Sequence, residues 1–100
     1  MKIFFVDIDD TICKTKGTDY STAIPIFQNI AKINSLYEDG NTIVYWTARG
    51  SGTGYDWEEL TKSQLDQWKV KYHELRFKKP VFDLFIDDKA ISSESFFKRD

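Results

Sequence analysis

Three carboxylates close the first apolar run of the chain, in Lys2-Ile3-Phe4-Phe5-Val6-Asp7-Ile8-Asp9-Asp10-Thr11. Asp7 and Asp9 are two residues apart, so in an extended backbone both side chains leave on the same side and converge just beyond the strand end. Carboxylates that close repel unless they share a proton or a hard divalent cation, and Mg2+ binds through one or two such groups while keeping several waters. Three further groups stand at comparable places. Asp87 and Asp88 end the apolar run 82–86, Thr47 ends the run 42–46, and Lys79 precedes Pro80, which restricts residue 79 to extended conformations. Together they meet the needs of phosphoryl transfer through an aspartyl-phosphate. Asp7 is the candidate nucleophile, and Asp9 the acid that protonates the leaving oxygen and then the base that activates water. Mg2+ is expected at Asp7, at Asp9 through its backbone carbonyl, and at Asp87 with or without Asp88. Thr47 and the neighbouring amides of Ala48 and Arg49 are expected to hydrogen-bond the phosphoryl oxygens, with the Lys79 ammonium balancing the acids. The Arg49 side chain has two readings, a contact to the anionic part of a substrate or an ion pair with Glu58 or Glu59. Each acid also has an ordinary reading as a turn or capping residue.

Such groups act together only if strands carry them to one edge. Ile3–Val6 is short, continuously apolar and β-branched or aromatic, which predicts a strand buried on both faces at the centre of a parallel sheet. Residues 11–23 are polar and aperiodic, an expected loop with room for a small hairpin at Gly17. Ile26, Phe27, Ile30, Ile33, Leu36 and Tyr37 form a stripe at spacings of three and four, so a helix is expected over 25–39, stopped by Gly40. Residues 42–46 predict a second strand, followed by a glycine-rich loop to Gly54 whose backbone N–H groups could face an anion. A helix over 56–72, strands over 72–77 and 82–86, and a short helix within 91–98 complete the pattern. Strands alternating with helical crossovers predict an α/β fold with a Rossmann-like, mainly parallel sheet and flanking helices. In such sheets ligands bind outside the carboxyl ends of the strands, where Asp7, Asp9, Thr47, Lys79, Asp87 and Asp88 all fall.

The chain has 100 residues, which predicts one domain over 1–100 with a single core. Its 41% hydrophobic and 30% charged composition argues against a disordered chain or a membrane protein, and no run is long enough to span a bilayer. Met1-Lys2 leads directly into the first strand, leaving no room for a signal peptide, so a cytoplasmic location is expected. The lone Cys13 has no base beside it and is read as structural. A net charge of -2 offers no general attraction to nucleic acid, which is not an expected partner.

These residues resemble the four motifs of the haloacid dehalogenase-like (HAD) superfamily. The matches are Val6-Asp7-Ile8-Asp9-Asp10-Thr11, Ile43-Val44-Tyr45-Trp46-Thr47-Ala48-Arg49, Lys79 before Pro80, and Leu84-Phe85-Ile86-Asp87-Asp88, in the family's order. The resemblance implies a Mg2+-dependent phosphomonoesterase built on a minimal core. Residues 12–23 and 50–55 are too short to be the cap domain that many members carry, so an open site without a cap is expected. Asp10 stands where the family often has glycine. The stretch Thr47-Ala48-Arg49-Gly50-Ser51-Gly52 resembles small HAD proteins encoded with bacterial capsule and lipopolysaccharide biosynthesis, which makes a sugar phosphate or related small phosphorylated metabolite the expected substrate. Two alternatives stay open, a phosphatase of nucleic-acid ends, whose binding would weaken steeply with salt, and a phospho-binding or regulatory module without turnover. A homo-oligomer is compatible with so small a core.

Overall fold

Thr42–Trp46 (β4) is the middle strand of the sheet, and its burial shows why: Ile43, Val44 and Tyr45 are each at most 1% exposed. The computed structural model describes residues 1–51 and 56–98. Its elements are Ile3–Val6 (β1), Cys13–Lys16 (β2), Asp19–Pro25 (β3), Phe27–Glu38 (α1), β4, Glu58–Gln67 (α2), Glu74–Arg76 (β5) and Ser93–Phe96 (α3). Strands β1, β4 and β5 form a three-stranded parallel sheet in the order β1-β4-β5, with Val6 opposite Tyr45 and Tyr45 opposite Leu75. Together with its helices this is a small α/β fold, and no cap domain is present among the described residues.

One face of the sheet carries the core. Val6, Ile43 and Tyr45 pack with Ile30 and Ile33 of α1 and Leu65 of α2, and Phe96 and Phe97 of the α3 region close over the same cluster. The expected stripe of α1 is realised at Ile30, Ile33, Leu36 and Tyr37 but not at Phe27, which is 63% exposed, and Gly40 at φ +94° ends the helix as its position requires. There the Asn41 N–H returns to the Leu36 carbonyl at 3.2 Å and the Gly40 N–H to Tyr37 at 3.1 Å. Helix α2 is shorter than the expected 56–72 because the same motif ends it without a glycine. Lys69 takes φ +59°, its N–H reaches the Asp66 carbonyl and Val70 N–H reaches Leu65 at 2.9 Å. A lysine in that conformation leaves no mark in a sequence pattern.

Three differences from expectation bear on the site. β1 lies at the sheet edge and is not buried on both faces; Ile3 and Phe5 stay 70% and 53% exposed. The stretch 11–23, expected as a loop with room for a small hairpin at Gly17, is more regular than that: β2 and β3 form an antiparallel hairpin that does turn at Gly17, with φ +54°, and is bulged between Lys14 and Lys16. The expected strand over 82–86 does not form, and residues 81–90 are all exposed. His73, a surface residue, acts as a brace: its N–H donates to the Ile43 carbonyl, its Nδ1 accepts from Ile43 N–H, and its ring stacks on Tyr37 at 4.6 Å. No described helix is long and apolar enough to cross a membrane.

The Tyr45 hydroxyl is buried and finds no hydrogen-bond partner among the described residues, and burial pushes its pKa up. An unsatisfied buried hydroxyl costs about 1 to 3 kcal/mol. Tyr45→Phe is therefore expected to raise the free energy of unfolding by about 1 kcal/mol in urea titrations, whereas a loss of that size would mean the hydroxyl has a partner.

Candidate functional site

The backbone turns immediately after β1, and that turn builds the site. Ile8 is fully buried and its carbonyl accepts N–H bonds from Thr11 at 3.1 Å and Ile12 at 2.9 Å, while Asp10 N–H donates to Cys13 O at 2.8 Å. Asp10 itself sits at φ +61°, the left-handed region that favours glycine and that Asp tolerates better than most residues. Asp7 and Asp9 thus stay beside the carboxyl end of the sheet, as expected, but their surroundings differ sharply.

Asp9 is held by a buried guanidinium. Arg49 Nε donates to Asp9 Oδ2 at 3.0 Å and Arg49 Nη2 to Oδ1 at 2.9 Å, a bidentate pair in which the arginine side chain is fully buried. Its remaining amino group, Nη1, donates to Thr61 Oγ1 at 3.0 Å and Gln64 Oε1 at 2.6 Å, both on α2. Gln64 Nε2 in turn donates to the Tyr20 carbonyl at 2.7 Å, and the Tyr20 ring lies 4.8 Å from the guanidinium. From the hairpin, Thr15 Oγ1 donates to Asp9 Oδ1 at 2.5 Å and Cys13 Sγ lies 3.6 Å from it. Asp9 Oδ1 is thereby crowded with donors, while among the described residues Oδ2 accepts from Arg49 Nε alone. The ion-pair reading of Arg49 is corrected in its partner, which is Asp9 and not Glu58 or Glu59.

Asp7 has a different partner. Lys79 Nζ lies 3.7 Å from Asp7 Oδ1, and the lysine backbone is fixed by its N–H to the Thr47 carbonyl at 3.1 Å and by Ser51 Oγ to its own carbonyl at 3.0 Å. Lys79, the lysine next to Pro80, is thus the one placed near Asp7. Burial raises the Asp7 carboxyl above its ordinary 3.8, and Lys79 pulls it back in part. Thr47 is 1% exposed and works as a brace: its Oγ1 accepts Arg49 N–H at 3.1 Å, and its backbone joins Arg76 and Lys79. Ala48 is half-buried in the same turn, where its carbonyl accepts from Ser51 N–H at 2.9 Å. Burial pushes the Cys13 thiol up to about 11, which fits its structural reading. Of the glycine-rich loop, residues 52–55 lie outside the described residues.

Asp87 and Asp88 are not gathered with these groups. Both are exposed, and Asp87 Oδ2 accepts from Lys89 N–H at 3.2 Å in a local turn. Among the described residues no set of three or more His, Cys, Asp or Glu side chains is placed to hold a metal ion. The reason is topological: without the strand over 82–86, nothing carries this pair to the sheet edge.

Thr15, Tyr20, Thr61 and Gln64 were not foreseen. Their types are common and their spacing follows no rule, because they meet only through the tertiary approach of the hairpin to α2.

No protein-family model matches the chain, and no match is found among curated proteins. The fold is similar to a crystal structure of a structural-genomics target from Vibrio cholerae, with a TM-score of 0.87 and 26% sequence identity over 100% of this chain and 90% of that one.

Two outcomes follow from the geometry. Arg49→Lys keeps the charge but not the fork, leaving Thr61, Gln64 or one Asp9 oxygen without its donor; a loss of about 3 kcal/mol in urea unfolding is expected, in the range for a broken buried pair. A loss under about 0.5 kcal/mol would mean that the cluster does not bind the hairpin to α2. For Asp7, a folded-state pKa above 3.8 means that the stability it contributes is complete below 3.8 and is lost as pH rises through the folded value. In EDTA, Asp7→Asn should accordingly raise the unfolding midpoint at pH 7, and the gain should vanish as pH falls below 3.8. Equal gains at both ends would contradict the assigned shift.

Proposed function

We propose that the chain is a minimal HAD-type phosphomonoesterase with a Rossmann-like core, acting on a small phosphorylated metabolite such as a sugar phosphate. The observation that carries the reading is the pair of acids after β1 in two contrasting settings, Asp7 beside the Lys79 ammonium and Asp9 in the fork of Arg49. Phosphoryl transfer through a carboxylate needs that division, because one acid must attack while the other moves a proton.

In the proposed sequence an Asp7 carboxylate oxygen attacks phosphorus, the bond from phosphorus to the leaving oxygen breaks, and that oxygen takes a proton from Asp9. Water then attacks the aspartyl-phosphate and gives its proton to Asp9, which frees phosphate and restores Asp7. Asp9 Oδ2 is the oxygen suited to this transfer, since among the described residues it accepts from one donor where Oδ1 accepts from several. Lys79 offsets the charge of the entering phosphate, and Thr47 acts indirectly by holding the backbones of Arg49 and Lys79. A cap-less site is open enough to admit a varied leaving group.

The resemblance also implies Mg2+. Among the described residues the carboxylate set does not fit it: both side-chain oxygens of Asp9 face Arg49 and Asp87 and Asp88 are exposed elsewhere, which leaves Asp7 and the backbone carbonyl expected at Asp9. No step above depends on a metal.

The test is phosphate release from a panel of phosphomonoesters that includes sugar phosphates, nucleotides and a 3′-phosphorylated oligonucleotide, each with Mg2+ and with EDTA. Asp7→Asn should lower turnover about a thousandfold, and Lys79→Met by about a hundredfold. Turnover that survives Asp7→Asn, or no release from any compound, would sink the reading.

A further inference from the structure

The hairpin of β2 and β3 brings a further group to the two acids. Tyr20 is pinned on three sides: its carbonyl accepts from Gln64 Nε2 at 2.7 Å, its ring lies 4.8 Å from the Arg49 guanidinium, and the Trp57 ring meets it edge to face at 5.1 Å. The guanidinium against its face is the one that holds the Asp9 carboxylate. The Tyr20 hydroxyl, in contrast, has no hydrogen-bond partner among the described residues, and the residue is only half-buried.

The charges of both acids reach that hydroxyl. Burial raises its pKa above the ordinary 10, the Asp9 carboxylate raises it further, Arg49 opposes, and Asp7 adds to the rise. Asp9 outweighs Arg49 even though the ring lies on the guanidinium, so the hydroxyl end of the ring is turned toward the acids. The fold does not require a hydroxyl at this place. A phenylalanine ring would cover the guanidinium comparably, and the hydroxyl makes no hydrogen bond to the described residues that its removal would break.

In an in-line displacement the attacking and leaving oxygens stand on opposite sides of phosphorus. With Asp7 attacking and Asp9 giving its proton to the leaving oxygen, the alcohol half of the ester lies on the Asp9 side, while the Lys79 ammonium, 3.7 Å from Asp7, serves the phosphate half. Tyr20 covers the clamp of Asp9 and so borders the space of the departing alcohol. We propose that Tyr20 is a substrate-binding residue that reads this alcohol: its hydroxyl hydrogen-bonds a hydroxyl group on the carbon next to the one that bears the phosphate, a feature that sugar and polyol phosphates share and simple alkyl phosphates lack. A donor pinned before binding loses little freedom when it bonds, which lets a single hydrogen bond discriminate in an open site. The assignment rests on the phosphatase reading for the side on which the alcohol lies, and deepens it by naming the group of the substrate that is recognised.

The experiment uses two esters that differ in that one hydroxyl, 2-hydroxyethyl phosphate and ethyl phosphate. Each is titrated by NMR into the Asp7→Asn chain, which lacks the attacking carboxylate and so holds an ester without turning it over, and into the Asp7→Asn/Tyr20→Phe chain. The first chain is expected to bind 2-hydroxyethyl phosphate about fivefold more tightly than ethyl phosphate, the value of one hydrogen bond. Adding Tyr20→Phe is expected to abolish that preference while leaving the dissociation constant for ethyl phosphate and the urea midpoint unchanged. Equal affinity for the two esters in the Asp7→Asn chain, a preference that survives Tyr20→Phe, a weakening of both esters alike, or binding of neither ester overturns the proposal; the third result would mean that Tyr20 serves only as a cover for Arg49. Binding needs no turnover, so the two readings fail separately. Phosphate release by the wild type without a tyrosine-dependent preference removes the role of Tyr20 alone, whereas a tyrosine-dependent preference without release from any ester supports the contact and removes the phosphatase reading.

Discussion

The buried ion pair between Arg49 and Asp9 is the constraint on which the site depends. A guanidinium with no exposed side-chain surface must satisfy its donors within the protein, or the desolvation cost exceeds what the pair returns. Arg49 does so with four acceptor contacts on three residues, Asp9 after β1 and Thr61 and Gln64 on α2. Gln64 passes the constraint on to the Tyr20 carbonyl, and Thr15 closes it at Asp9. One side chain therefore ties together the sheet, the second helix and the hairpin, beside the apolar cluster through which Ile12, Cys13, Tyr45 and Leu65 also join them.

That arrangement also separates two acids that the sequence places almost side by side. Asp7 and Asp9 are chemically identical and two residues apart, yet one is desolvated with a lysine 3.7 Å away while the other is clamped from the opposite side by arginine. Environment gives each its own chemistry. Thr47 contributes to both settings, since its hydroxyl accepts from the Arg49 backbone and its carbonyl accepts from Lys79.

Much of this was legible in the residues because it rests on local rules. The apolar runs ending in Asp7 and Thr47, the stripe of α1 and its stop at Gly40 all follow from periodicity and backbone preference, and the structure contains them. The choice of Lys79 followed from Pro80, and Lys79 is the lysine near Asp7. What local rules missed depends on tertiary position. Lys69 ends α2 in a glycine-like conformation, and the hairpin of β2 and β3 is drawn from polar residues whose partners lie on α2. The edge position of β1 was misread because a continuous apolar run looks the same whether its second face is covered by the chain or left open.

That open face is a consequence of size. All three described helices send side chains to the one core cluster that includes Val6, Ile43 and Tyr45, which leaves Ile3 and Phe5, on the other face of β1, largely exposed with Trp46 and Arg76 against the Phe5 ring. The run 82–86 stays unpaired among the described residues while the Lys79 N–H holds to the Thr47 carbonyl at the carboxyl end of the sheet. Four steps of backbone reach at most about 14 Å, too little to set Asp83 beside Ile3 at the far end of β1 without releasing the lysine. Fixing the charged group therefore limits how much of the following segment the sheet can take up, and the exposed side chains of that segment are the cost.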